Sequence, residues 1–457
     1  MLFNSFSFFL LLLPAVAAYW MTPWHRVRLG ILFVASLLFY AAHHWPSAFL
    51  LVGTIGFNYL AGRLQARTRS LPVLLVAISV NLSLLFWFKY AAFVADSANA
   101  LLAAVGAVVS VPRPPAFLPL GISFFTFQVV AYQIDIRRGE IEAETSLLRF
   151  AVFKCFFPQL IAGPIVRARD LLPQLQELRR FNPTTFHQGL WLLIGGLALK
   201  IGVADVLAQF ADDAFRHPAV LTTVGAWVGL YAYAFQLFAD FWGYSTMAVG
   251  LAALFGIVLP LNFNAPYLAN TLQDFWRRWH ITLSVWFRDY LYIPLGGNRR
   301  NRDINLLITM TLAGLWHGAG WNFLLWGFGH GLWLIIERHT PSLPRSWDNR
   351  FLRSLRTFLV FHGICLLWVL FRSPEISQAL LYFHRLLLPP FTSSKVPGAL
   401  VTWLIACLLL QMPLTQSFRE IRFTQLSLPV QWILASFAGY LILAYAGARI
   451  DFIYFTF

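Results

Sequence analysis

The chain holds 457 residues, of which 59% are apolar and 12% charged, whereas a soluble domain carries charge on about a quarter of its residues. That balance excludes a water-soluble enzyme; at about 20 residues per crossing, the length accommodates an all-α polytopic membrane protein of about 11 to 13 transmembrane or re-entrant helices, read as a single unit over 1–457. The net charge of +15 would suggest nucleic acid in a soluble chain, but here Lys and Arg sit in short loops between apolar runs, which orients a chain in lipid and implies no nucleic-acid partner.

Residues 1–21 end in Ala15-Val16-Ala17-Ala18 and imitate a leader peptide. No Lys or Arg precedes the apolar run, so it reads as a retained first span, interrupted by Pro14. Arg26 and Arg28 follow it, His43-His44-Trp45-Pro46 follows the second run, and Arg63, Arg67 and Arg69 follow the third. The alternation of basic and non-basic loops places the N-terminus outside.

Further apolar runs lie near 71–94, 98–111, 117–134, 148–165, 187–207, 221–239, 244–260, 304–317, 321–336, 355–371, 398–411 and 428–447. The 148–165 run carries Lys154, Cys155, Pro158, Gln159, Gly163 and Pro164, costly in lipid unless its backbone is buried in protein or lines a wet cavity, so a re-entrant segment is expected. Cys155, Cys365 and Cys407 lie far apart with no ligand spacing, and neither a disulfide framework nor a zinc site is indicated. No internal repeat is visible. Candidate buried acids such as Asp205 and Asp240 read as scattered.

Two regions stand out for their polarity. The first runs from Gln273-Asp274-Phe275-Trp276-Arg277-Arg278-Trp279-His280 through Trp286-Phe287-Arg288-Asp289-Tyr290 to Gly296-Gly297-Asn298-Arg299-Arg300. On a 3.6-residue period Trp276, Trp279, His280, Leu283, Phe287 and Tyr290 share one side, which predicts an interfacial amphipathic helix with His280 on its apolar face.

The second region is Gly314-Leu315-Trp316-His317-Gly318-Ala319-Gly320-Trp321-Asn322. Arg299, Arg300 and Arg302 precede this helical pair and Arg338, Arg345, Arg350 and Arg353 follow it, so both of its ends are expected in the cytoplasm. A helix from Asn305 to His317 rises about 18 Å, past the middle of a hydrocarbon core of about 30 Å. Gly318 and Gly320 then supply the reversal. An intramembrane ionisable residue is costly unless it faces a cavity or a partner, which makes His317 the first site candidate and a suitable general base. The other histidines lie mostly in loops or at span ends; His330 and His362 fall within apolar helices without such a glycine turn. No GxSxG elbow and no GxxxxGK[ST] phosphate loop is present.

Residues 50–375 resemble the membrane-bound O-acyltransferases, in the bacterial branch that acetylates alginate and other polysaccharides. The likeness rests on ordered motifs: Phe157-Pro158-Gln159-Leu160-Ile161-Ala162-Gly163-Pro164-Ile165, Leu261-Asn262-Phe263-Asn264-Ala265-Pro266-Tyr267-Leu268, Asp274-Phe275-Trp276-Arg277-Arg278-Trp279-His280, Tyr292-Ile293-Pro294-Leu295-Gly296-Gly297-Asn298-Arg299 and Leu315-Trp316-His317-Gly318. One family motif, acid-Phe-Ser-Gly-Tyr-Ser-acid, departs here to Asp240-Phe241-Trp242-Gly243-Tyr244-Ser245-Thr246. The departure makes that helix more apolar.

The resemblance implies helices around a central tunnel, His317 as the active-site histidine and His280 as a supporting one nearer the cytoplasmic face. It implies acyl transfer from a cytoplasmic thioester, acetyl-coenzyme A or another, toward an extracellular polysaccharide, with no permanently bound cofactor and no metal. His317 would deprotonate the acceptor hydroxyl or receive the acyl group transiently. Arg277, Arg278, Arg299 and Arg300 would draw the anionic donor to the mouth, although positive-inside topology accounts for the same arginines. An extracytoplasmic acetyltransferase and membrane lipid are the implied partners, and a bacterial inner membrane the implied location. Two readings compete: D-alanyl transfer toward teichoic acid, and a transporter or export channel, which would call for repeats or intramembrane acids along a pathway.

Overall fold

The computed structural model describes residues 2–114, 117–161, 163–340, 349–387, 400, 404 and 426–445. Arg345, Cys407 and the 398–411 run apart from residues 400 and 404 lie outside them. Among the described residues every regular element is a helix, as the composition requires. Five helices are long and apolar enough to cross a membrane: Leu71–Ala104, Pro183–Arg216, Thr223–Leu254, Arg350–Arg372 and Leu428–Tyr445.

The chain forms two compact units, one of Met1–Leu190 with Met247–Pro260 and one of Trp191–Thr246 with Leu261–Phe457. Two of the three unit boundaries fall inside helices, α10 (Pro183–Leu197) and α12 (Thr223–Leu254), and the third falls between Pro260 and Leu261.

The first unit begins with α1 (Phe6–Met21), α2 (His25–Ala41), α3 (Trp45–Thr68), α4 (Leu71–Leu85) and, after a π-helical turn, α5 (Ala91–Ala104). Phe8, Phe39 and Phe157 meet with ring centroids 5.6 to 5.9 Å apart and pin α1 and α2 to the broken segment. Between α3 and α4 the buried amides of Asn58 and Asn81 exchange hydrogen bonds of 3.0 and 2.9 Å, a polar lock that is strong where no water competes. After α6 (Ile122–Arg138), the 148–165 run is not one helix: α7 (Leu147–Cys155) stops at Phe156, α8 (Phe157–Leu160) is a single turn, and the chain then extends to α9 (Ala168–Gln176). Its backbone is held by protein side chains, with the Phe157 N–H donating to Ser36 Oγ and Gln159 Nε2 to the Phe153 carbonyl. That is how non-helical backbone survives among apolar neighbours.

In the second unit α10 continues through a π-helical segment, Ala198–Ala204, into α11 (Asp205–Arg216), and α12 follows. Next come α13 (Leu272–Arg278), α14 (Ile281–Phe287), α15 (Arg302–His317), α16 (Trp321–His339), α17 (Arg350–Arg372), α18 (Ile376–Leu387) and α19 (Leu428–Tyr445).

The helical pair expected around His317 is present as α15 and α16. Its open end is tied by Asp303 to Arg338 and to His339. The reversal falls at Gly318 and Gly320 as expected, and both residues are extended there. Glycine is needed there for space: a Cβ at Gly318 would stand 2.1 Å from the Phe323 ring, and one at Gly320 2.4 Å from Asn322 Oδ1.

Candidate functional site

His317 ends α15 and is 3% exposed. Its imidazole packs against Trp326 at 5.2 Å between ring centroids and 86° between planes, and against Phe371 at 5.2 Å. His280 lies beside it, with ring centroids 6.5 Å apart. The structure therefore brings together two histidines separated by 37 positions, and both are buried.

His280 reaches that place by an irregular route. The predicted continuous amphipathic helix breaks at Trp279 and His280 into α13 and α14, each too short to cross a membrane, and His280 adopts a left-handed φ of 41°. Left-handed backbone is unfavourable for a residue with a Cβ and persists where neighbours impose it. The 261–268 motif imposes it: Ile281 N–H donates to the Asn262 carbonyl at 2.9 Å, Thr282 Oγ1 to Asn262 Oδ1 at 2.7 Å, and Asn264 N–H to the Arg278 carbonyl at 2.9 Å. The helical-period reading nevertheless identified most of the buried face: Trp279, His280, Leu283, Phe287 and Tyr290 are buried, while Trp276 is half-buried. Phe241 packs edge-to-face on His280 at 4.6 Å. Burial pushes the His280 imidazole down to about 3, which keeps it neutral.

A cavity of about 420 Å³ runs along this region. On α15, Arg302, Leu306, Thr309, Ala313 and His317 line it, a stripe at helical spacing that climbs about 22 Å from end to end. Trp276, Arg277 and Arg288 contribute from the facing segment. Three arginines thus stand along a cavity that also meets His317; no carboxylate is among its lining residues, but Arg288 is paired with the adjacent Asp289 at 2.6 Å.

Of the four arginines expected at a donor mouth, only Arg277 lines this cavity. Arg278 is turned onto Asp274, its Nε 2.9 Å from both carboxylate oxygens. Arg299 and Arg300 sit exposed on a turn whose carbonyls, at Gly297 and Arg300, accept from Asn305 Nδ2. Arg288 and Arg302 take their places in the lining. The sequence signal for Arg302 was its helical register with His317, 15 residues on; Arg288 opens a π-helical turn, Arg288–Tyr292, that no periodicity announces. The N-terminus of α13, which carries Trp276 and Arg277, is capped by Glu337, whose two oxygens accept from Leu272 N and Gln273 N at 2.8 and 3.1 Å.

A second ionisable cluster lies in the same unit. Asp205 and Asp240 are not scattered: Lys200 Nζ stands 2.7 Å from Asp205 Oδ1 and 2.9 Å from Asp240 Oδ1, with all three side chains 2% exposed. Gly243, one turn along α12, admits the approach, because a Cβ there would stand 2.9 Å from the Gly196 carbonyl oxygen. Sequence reasoning missed Lys200, a lone lysine in the 187–207 run whose partners are five and forty positions away.

An all-helical membrane protein with paired buried histidines beside an arginine-lined cavity is what a membrane acyltransferase requires, and comparison with known proteins agrees. The sequence pattern of the membrane-bound O-acyltransferase family matches residues 138–347, a span that contains both histidines and the cavity. A probable alginate O-acetylase of Pseudomonas aeruginosa is 41% identical over 391 residues, covering 83% of this chain and 73% of the relative. A peptidoglycan O-acetyltransferase of Helicobacter pylori is 37% identical, covering 76% of this chain and 72% of the relative. A teichoic acid D-alanyltransferase of Streptococcus thermophilus is 30% identical, over 55% of this chain and 68% of the relative. The chain belongs to the membrane-bound O-acyltransferase family and is a multi-pass membrane acyltransferase that takes an acyl donor as substrate.

Proposed function

We propose that the protein, acting as one catalytic unit in the inner membrane, passes an acetyl group from a cytoplasmic thioester toward a hydroxyl for O-acetylation of an extracellular polysaccharide. The observation that carries this reading is the composition of the cavity: Arg277, Arg302 and His317, together with Arg288, which Asp289 pairs at 2.6 Å, and no carboxylate among the lining residues. An anionic donor such as acetyl-coenzyme A is attracted by that lining, and its neutral acetyl group needs no charged partner. A D-alanyl group carries an ammonium that the same lining would repel.

In the proposed chemistry His317 takes the proton of the acceptor hydroxyl as its oxygen attacks the thioester carbonyl. The new C–O bond forms, the C–S bond breaks, and the proton passes to the leaving thiolate, so that a thiol and an ester result. His280, neutral and 6.5 Å away between ring centroids, supports the orientation of His317. Arg277 and Arg302, with Arg288, hold the donor's phosphates. Arg278, Arg299 and Arg300 contribute to the basic face that the loops turn to the cytoplasm. Names among the relatives tie acetylation to alginate and to peptidoglycan, which supports a polysaccharide acceptor, reached through an extracytoplasmic acetyltransferase as partner.

The test is the ester content of cell-surface polysaccharide in a strain carrying His317→Ala, with the amount of membrane-inserted protein matched to wild type. Loss of acetyl with D-alanyl esters unchanged supports the proposal. Retained acetyl with lost D-alanyl moves the cargo to the amino acid, and retention of both removes acyl transfer through His317.

A further inference from the structure

His330 enters no step of that chemistry, yet it is fully buried in the middle of α16. Gly327 and Gly331 set its direction. A Cβ at Gly327 would stand 2.2 Å from the Met310 carbonyl oxygen, and one at Gly331 3.1 Å from the Leu307 Cα, so small residues four apart let α16 lie directly on α15. Residue 330, off that contact line, meets α13 instead. Its ring stands 5.1 Å from Trp276 at 74°, 4.6 Å from Trp326 at 69°, and parallel to Phe275 at 6.4 Å.

Both ring nitrogens of His330 are buried and hydrogen-bonded to no described residue, as are the indole nitrogens of Trp276 and Trp326. Leaving such a group without a partner costs on the order of 1–3 kcal/mol, where a phenyl ring would fill the same space at no such cost. Edge-to-face packing offsets part of it, because an N–H edge is attracted to an electron-rich ring face. Trp326 is shared by two imidazoles, since its ring also packs on His317 at 5.2 Å. Trp276 is shared with the cavity it lines.

We infer that His330 is a positioning residue of the His317 site, setting the His317 ring through Trp326 and the cavity wall through Trp276. The inference rests on the acyl-transfer reading above. Its test uses the full-length protein in lipid nanodiscs, as wild type, His330→Phe and His330→Ala. Two quantities are measured: thiol release from acetyl-coenzyme A with a polysaccharide hydroxyl acceptor supplied in excess, and the rate at which diethyl pyrocarbonate modifies His317, followed on its peptide by mass spectrometry.

His330→Phe keeps the volume and is expected to stay monodisperse, to lower kcat about tenfold with the donor KM little changed, and to change the His317 modification rate about threefold or more. His330→Ala is expected to go further in both. Wild-type kcat with a wild-type modification rate overturns the inference. So does a variant that melts earlier but, while folded, modifies His317 at the wild-type rate, for that is a packing role alone. Should the wild type release no thiol while His317 reactivity still responds to residue 330, the acyl-transfer reading fails and the positioning relation stands.

Discussion

Two neighbouring residues of α12 serve two buried ionisable clusters of opposite character. Asp240 closes on Lys200 with Asp205; Phe241, the next residue, packs on His280, and His280 stands beside His317. In the first cluster charge meets charge at 2.7 and 2.9 Å, and none of its three residues lines the cavity. In the second the ring contacts are aromatic, and His317 is part of the cavity lining. Burial of a titratable group in an apolar helix is therefore not a sufficient sign of a reaction centre. What separates a staple from a site is whether its polar atoms are spent on one another or face a space that a substrate can enter.

The largest effect that could break this comparison is at His317. Replacement by Ala is expected to lower acyl transfer by about 10²- to 10⁴-fold, the span a general base contributes, with the thermal unfolding of the detergent-solubilised protein left in place. A variant that keeps its activity would put His317 among the structural histidines.

Lys200 is expected to behave in the opposite way. Lys200→Met leaves two buried carboxylates facing each other and should cost about 3–5 kcal/mol of stability, read as a lower unfolding temperature and less protein in the membrane, while molecules that do fold retain transfer. Adding Asp205→Asn and Asp240→Asn to Lys200→Met should recover most of the loss, because a neutral cluster no longer carries unpaired charge. Loss of transfer at full stability would instead make the cluster part of the chemistry.

Asn262 sharpens the comparison from the side of the backbone. It holds the turn in which His280 has a left-handed φ, and Asn262→Ala removes an acceptor used by the hydroxyl and the N–H of Thr282. The expected cost is about 1–3 kcal/mol, spent locally on the His280 turn, with kcat down about tenfold. His280→Gly, which relieves the backbone but deletes the ring, should lower activity without restoring it. If Asn262→Ala lowers only the unfolding temperature, the turn is a fold element and not a support of the His317 site.

The α15–α16 pair was legible in sequence because helical period, flanking arginines and a glycine turn all converge on it, and those signals are local. His317 could be placed for the same reason. His280 was legible only as a member of a buried face. Its break in the helix is imposed by Asn262, 18 positions earlier, and no local propensity records that. Lys200 illustrates the same limit more sharply: its two acids lie five and forty positions further on in sequence, and the farther one reaches it only through the packing of α12 at Gly243. Spacing arguments find residues that share an element; they do not find residues that share a tertiary contact.

The smallest expected effect separates the arginines. Arg277 and Arg302 line the cavity, whereas Arg278 is held by Asp274 and Arg299 and Arg300 lie on an outward turn. Charge on a partly exposed guanidinium is worth about 0.2–1 kcal/mol, so Arg277→Gln and Arg302→Gln should each raise the donor KM a few-fold, more at low salt than at high, with kcat unchanged. Arg278→Gln, Arg299→Gln and Arg300→Gln should leave the donor KM where it is. The five variants differ little in net charge, so a general basic surface predicts equal effects from all of them, and a donor-holding cavity predicts two that respond and three that do not. Equal shifts across the set would return every one of these arginines to topology, and the donor's route would then have to be sought on another face of α15.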